Sequence, residues 1–196
     1  MTIAIIEYNA GNVYSVQHAL QRLGAETIVT ADVQRICSAD KVIFPGVGEA
    51  AHTMHYLRQT GLDEVIRSLR QPVLGICLGM QLLCRHSEEG QVDCLGIFDV
   101  PVRKFQPRVA TEKIPHMGWN TLSHTQSPLF KDFTDEAYVY FVHSYYVPVC
   151  PYTAAQTDYI TPFSAALHQD NFYATQFHPE KSGSVGERIL YNFLTL

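Results

Sequence analysis

Residues 71–81 read Gln-Pro-Val-Leu-Gly-Ile-Cys-Leu-Gly-Met-Gln. Cys77 stands where an apolar, strand-like run meets a helix-like run, with Gly75 and Gly79 flanking it. That is the layout of a nucleophile elbow with sulfur in place of a serine hydroxyl. The two glycines remove side chains that would clash at so sharp a turn. A helix beginning at residue 78 would aim its dipole and its unpaired first N–H groups at the sulfur, which favours thiolate over thiol. The N–H of Leu78 is placed to bind an oxyanion. Much later comes Gln176-Phe177-His178-Pro179-Glu180. Pro179 keeps His178 out of the α region, and positions two apart in an extended segment share a side. Glu180 can then hold one ring nitrogen of His178 and leave the other for the thiol. Cys77, His178 and Glu180 together make an acyl-transfer triad.

Weaker signals surround this one. Gly46-Val47-Gly48, after a predicted strand, could turn a backbone N–H toward a developing negative charge, or could be only a tight turn. His52 and His55 have metal-ligand spacing on a helix, but no third ligand lies nearby, so no metal is expected. Cys37, Cys84, Cys94 and Cys150 lack any activating context and read as inert thiols. His18, His86, His124 and His168 belong to no motif.

The elements that must position these residues follow an alternating pattern. Strands are expected at 3–7, 26–30, 41–45 and 72–76. A helix capped by Asn12 carries Val13, Val16, Leu20 and Leu23 at helical spacing and stops at Gly24. Further helices are expected at 49–70, broken at Gly61, and at 78–86. This β-α-β-α order predicts an α/β fold with a mainly parallel central sheet and helices on both faces. In such sheets chemistry gathers at the carboxyl ends of strands, where Cys77 and the Gly46–Gly48 loop both fall. The second half predicts an antiparallel extension with strands near 97–105, 114–122, 138–147, 163–168 and 172–178. A closing helix at 184–195 turns Ile189, Leu190 and Phe193 inward.

The 196 residues suit one domain spanning 1–196. A 46% apolar content with 17% charged residues predicts a folded core. A net charge of −5 without a basic cluster argues against nucleic acid. No apolar run approaches the roughly 20 residues of a membrane span. The first residues read as a strand rather than a signal peptide. Five scattered cysteines without a C-x-x-C pair point to a reducing, cytoplasmic setting.

The motif Gly75–Gln81 with His178-Pro179-Glu180 resembles the class I (triad) glutamine amidotransferases. Pro45-Gly46-Val47-Gly48, Pro115-His116-Met117-Gly118-Trp119-Asn120, Phe141-Val142-His143-Ser144-Tyr145, Gln176 to Ser182 and the early Tyr8-Asn9-Ala10-Gly11-Asn12 are similar, more narrowly, to the glutaminase subunits of imidazole glycerol phosphate synthases. The likeness covers nearly the whole chain, although residues 97–113 carry no matching motif. It implies that Cys77 is the nucleophile, His178 the general acid and base, and Glu180 its orienter. It further implies that Val47 or Gly48 and Leu78 form the oxyanion hole, and that Gln81, Glu89, Ser144 and Tyr145 hold glutamine. Trp119, Tyr140 and Lys181 would face a (β/α)₈-barrel cyclase subunit in a heterodimer. That subunit would receive ammonia and make imidazole glycerol phosphate and aminoimidazole carboxamide ribonucleotide in histidine biosynthesis, without cofactor. Two alternatives stay open. One is the glutaminase subunit of another synthase, such as that of pyridoxal phosphate synthesis, and the other is a non-catalytic binding module on the same fold.

Overall fold

The computed structural model describes residues 1–8, 12–133 and 137–196. Its frame is a run of parallel strands: β1 (Thr2–Ile6), β2 (Glu26–Thr30), β3 (Lys41–Gly46) and β4 (Val73–Cys77). Helix α1 (Val13–Arg22) links β1 to β2, and α2 (Val33–Ser38) links β2 to β3. Between β3 and β4 run α3 (Ala50–Thr60) and α4 (Leu62–Ser68), separated by Gly61 at φ 71°. Helix α5 (Leu78–Leu83) follows β4 without a linker.

The second half adds β5 (Cys84–Ser87), β6 (Val92–Asp93), β7 (Phe98–Lys104), β8 (His116–Thr121), β9 (Tyr138–His143) and β10 (Tyr145–Tyr146). The last strands are β11 (Thr153–Asp158), β12 (Pro162–Gln169) and β13 (Phe172–Thr175), followed by α6 (Gly183–Leu194). The seven-stranded sheet has the order β11-β12-β13-β4-β3-β1-β2. β13 joins it parallel to β4, while β12 and β11 extend it antiparallel. A four-stranded sheet, β10-β7-β5-β6, and a two-stranded ribbon, β8-β9, lie outside it.

Side-chain alternation sorts the core onto the sheet's two faces. Ile3, Ile5, Ile43, Leu74 and Ile76 pack with Val16 and Leu20 of α1 and with Ile189, Leu190 and Phe193 of α6. Ala4, Ile6, Val42, Phe44 and Val73 pack with Ile36 of α2, Met54 and Leu57 of α3, Ile66 of α4 and Leu82 of α5. Helices therefore cover both faces, as expected.

The boundaries differ from expectation in places with physical causes. The helix expected over 78–86 stops at Leu83, because Cys84 turns extended and β5 pairs in parallel with β7. The strand expected over 138–147 breaks at Ser144, since β9 pairs with β8 and β10 with β7. The strand expected over 172–178 ends at Thr175, which frees Gln176–His178 from the ladder. Helix α2 carries no legible sequence pattern, because it has six residues and one fully buried apolar side chain, Ile36. β11, with the composition Thr-Ala-Ala-Gln-Thr-Asp, has little strand propensity and exists through its pairing with β12. The two-residue β6 is too short to carry a pattern.

Candidate active site

Three strand ends build the site. In register, Gly46 of β3 sits opposite Cys77 of β4, and Thr175 of β13 opposite Ile76. The carboxyl end of β3 thus brings the 46–48 loop, β4 brings the cysteine, and β13 brings the segment 176–180. Cys77 has φ 54° and ψ −108°, a conformation seldom adopted by a residue with a side chain. The strain is held by packing. A Cβ on Gly79 would lie 1.9 Å from the carbonyl oxygen of Phe44, so only glycine lets α5 approach β3 this closely. At Gly48 the reason is the opposite. No atom crowds that position, but its φ of 120° excludes other residues.

His178 keeps the extended conformation that Pro179 demands (φ −97°, ψ 96°). The chain then departs from the expected extended geometry and makes one 3₁₀ turn, Pro179–Lys181, with proline at its first position. The turn still brings Glu180 back onto the ring: His178 Nδ1 lies 2.8 Å from Glu180 Oε1. Both side chains are sealed from solvent, at 1% and 0% exposure. The neighbouring backbone is tied down. His178 N–H donates to the Tyr140 carbonyl (3.0 Å), and the Ser182 hydroxyl donates to the His178 carbonyl (2.7 Å) while accepting from Tyr140 N–H (2.9 Å). Burial by itself would lower the pKa of His178. Hydrogen-bonding and charge interactions with Cys77 and Glu180 outweigh it and raise the ring to about 10.

The sulfur has further neighbours. Cys77 Sγ lies 3.9 Å from the Val142 carbonyl and 3.8 Å from Gln176 Nε2. An unambiguous acceptor fixes the Gln176 amide. Gln81 Nε2 donates to the Tyr145 carbonyl (3.0 Å) and to Gln176 Oε1 (3.0 Å), which leaves the Gln176 amide N–H group for sulfur. Gln176 is fully buried. The sequence motif contained it, but nothing in its spacing revealed a contact with Cys77.

A cavity of about 330 Å³ opens beside these groups, lined by Val47, Gly48, Cys77, Leu78, Gln81, Glu89, Ser144, Tyr145 and His178, together with Pro115, Val142 and His143. Every residue expected in the oxyanion hole or around the substrate borders this one space. Leu78 opens α5, so its N–H has no acceptor within the helix. The Glu89 carboxylate accepts from Ala50 N–H at the start of α3 (2.9 Å). Its pKa is raised by burial, opposed by that hydrogen bond and reinforced by Glu49. Tyr8 donates its hydroxyl to the Pro45 carbonyl at the root of the 46–48 loop. Its own pKa is pushed up by burial and by the charge on Cys77. Asn12, expected only as a helix cap, donates to Glu180 instead. The other residues of that early motif, Asn9, Ala10 and Gly11, lie outside the described residues.

Trp119 and Tyr140 lie on the ribbon, and Lys181 is exposed at the end of the 3₁₀ turn. Trp119 and Tyr140 are cross-strand partners with rings in edge contact, 6.0 Å apart. Met117 and Tyr138 on the same ribbon are also exposed, which the motif alone did not reveal. The ribbon's opposite face buries a histidine pair. His143 Nδ1–H donates to the Tyr145 carbonyl (2.7 Å), so its Nε2 accepts from His116 Nδ1–H (3.1 Å). Burial lowers His116 to about 4 and His143 to about 3. His52 and His55 lie on the exposed side of α3. No helix among the described residues is long and apolar enough to cross a membrane.

Comparison with known proteins gives a consistent answer. Residues 4–196 match the family model described as "Glutamine amidotransferase class-I". The imidazole glycerol phosphate synthase subunit HisH of Bacteroides thetaiotaomicron is 68% identical over 196 residues, covering all of both chains. That of Yersinia pseudotuberculosis is 46% identical over 198 residues, again covering all of both. A crystal structure of a glutamine amidotransferase superposes with a TM-score of 0.73 at 19% identity, over 98% of this chain and 97% of that one. At that identity it speaks for the fold alone.

Proposed function

This chain belongs to the class-I glutamine amidotransferases and, within them, to the HisH subunits of imidazole glycerol phosphate synthase, and on that premise we propose which of its residues carry the reaction. The Cys77 thiolate attacks the side-chain amide carbon of glutamine. The carbonyl oxygen becomes an oxyanion held by the N–H of Leu78 and by an N–H of Val47 or Gly48. As the tetrahedral intermediate collapses, the C–N bond breaks and His178 gives its Nε2 proton to the departing nitrogen, releasing ammonia. The resulting glutamyl thioester is attacked by water, from which His178 takes a proton, and the C–S bond breaks to free glutamate and Cys77. Glu180 holds the ring through Nδ1. Glu89, crowded by Glu49 and short of a counter-charge, suits the α-ammonium group of the substrate. Gln81, Ser144 and Tyr145 line the remaining wall.

One observation carries this reading: a backbone-strained cysteine at a strand end, with His178 lining the same cavity and the sealed Glu180 carboxylate behind the histidine ring. Ammonia released there passes to a cyclase subunit with a (β/α)₈ barrel, joined as a heterodimer against Trp119, Tyr140 and Lys181. Free ammonia in water would be protonated and lose its nucleophilicity, so a sealed interface serves the chemistry. The whole chain acts as one domain in the cytoplasm, a setting compatible with five free thiols. No cofactor is required. Replacing the nucleophile tests the assignment: in the assembled synthase, Cys77→Ala loses glutamine-dependent turnover and keeps ammonia-dependent turnover. Glutamate release persisting in that variant would remove Cys77 from the mechanism.

A further inference from the structure

Asn12 occupies the cap position of α1, where an asparagine ordinarily turns its side-chain oxygen onto the N–H groups of the first turn. Here the side chain makes no cap bond at all. Its Nδ2 donates to Glu180 Oε1, a partner 168 positions away. The residue is buried, at 8% exposure. A carboxylate only accepts, so the amide's orientation needs no assumption. The 3.4 Å approach of Nδ2 to His178 Nδ1 is packing rather than a second bond, because that ring nitrogen already shares its proton with Glu180.

The geometry leaves Glu180 Oε1 with two donors, Asn12 and His178, and Oε2 with no hydrogen-bond partner among the described residues. A buried carboxylate on a flexible stem, bonded to one ring alone, could rotate about its terminal torsion and present either oxygen. A second fixed donor removes that freedom. It also comes from the opposite end of the chain, so it anchors the 3₁₀ turn to the first helix.

We infer that Asn12 is a positioning residue for the glutaminase reaction, holding the Glu180 carboxylate so that Oε1 stays on Nδ1 of His178 and Nε2, which has no hydrogen-bond partner among the described residues, is left for Cys77. The inference rests on the triad reading above, and the two can fail separately. Steady-state glutaminase kinetics of the chain assembled with its synthase subunit provide the test. Asn12→Ala should lower kcat about tenfold while KM moves less than about threefold, the signature of a lost transition-state contribution. Asn12→Asp is nearly isosteric and a good helix cap, but it sets a second carboxylate against Glu180, so its kcat should fall further. In a Glu180→Gln background, Asn12→Ala should cost less than about twofold, because its effect runs through that carboxylate.

A kcat within about twofold of the parent in Asn12→Ala or Asn12→Asp would overturn the inference, as would an equal loss in both backgrounds, which marks a residue that merely starts a helix. Should Asn12→Ala fail to assemble, Asn12→Asp alone decides the matter. An unimpaired Glu180→Gln enzyme would instead remove the triad reading itself.

Discussion

Gln176 has the least visible part in the site and the sharpest test. Its N–H group faces the sulfur only because Gln81 and the Tyr145 carbonyl fix the amide from behind. A hydrogen bond donated to a thiolate stabilises the charged form. Gln176→Leu keeps the volume and loses the donor. It should slow labelling of Cys77 by a glutamine-like chloroketone at neutral pH by about tenfold, a change of roughly 1.4 kcal/mol in barrier height. An unchanged labelling rate would reduce Gln176 to packing. In the proposed reaction Glu89 serves binding rather than bond breaking. Glu89→Gln should raise KM for glutamine about tenfold with kcat within about twofold, since an ammonium would lose its counter-charge equally in ground and transition states. A fall in kcat at constant KM would move Glu89 into the chemistry. At this scale the sequence was legible in the placement of Cys77 at a strand-to-helix turn and in the meeting of His178 with Glu180. It was silent on Asn12 and Gln176, because amide side chains acquire a role only from what folding brings against them.

Among the elements, the β8–β9 ribbon has an exposed aromatic face and a face that hides two neutral histidines. His143 titrates at about 3 in the fold against 6.5 in an unfolded chain, because burial disfavours the imidazolium. Between those values the unfolded state binds more protons than the folded state, so stability rises with pH across that window. The contribution is complete above 6.5 and drains away as pH falls toward 3. His116, lowered to about 4, works in the same direction. Urea midpoints should therefore drop between pH 7 and pH 4, and His143→Gln should flatten that slope. A parallel slope in the variant would assign the acid sensitivity to other groups. The elements themselves were readable where pattern and punctuation agreed. Glu26–Thr30 falls on its predicted span, and Gly61 divides α3 from α4 as expected. Pattern failed where pairing overrides propensity, as in β11, and where an element is too short for a period, as in α2 and β6.

For the whole molecule, the proposed partner on the ribbon would have to influence the proposed, buried triad. The ribbon reaches the site through the backbone hydrogen bond of His178 N–H to the Tyr140 carbonyl, clamped by the Ser182 hydroxyl, and through the Val142 carbonyl near Cys77 Sγ. Tyr140 pairs across the ribbon with the exposed Trp119. In the heterodimer reading, pressure on the aromatic face moves the strand that holds His178. Trp119→Ala should weaken assembly by about 2 kcal/mol or more, as expected of a central aromatic anchor. Its ammonia-dependent synthesis at saturating subunit should stay intact, since that step bypasses the glutaminase. Assembly of unchanged affinity, read by titration calorimetry, would place the interface elsewhere.

The amino-acid sequence by itself determined the chemistry on offer and the architecture that presents it. A thiol between glycines at a strand-to-helix switch, a histidine ahead of proline, and alternating strand and helix periods are local facts that short-range sterics enforce. Tertiary structure alone decided which groups meet: the asparagine ahead of the first helix at Glu180, a glutamine amide at the sulfur, and two neutral histidines joined by a hydrogen bond inside the ribbon. Those contacts join positions as much as 168 residues apart. No local rule encodes them, because each arises only when segments far apart in the chain are brought side by side.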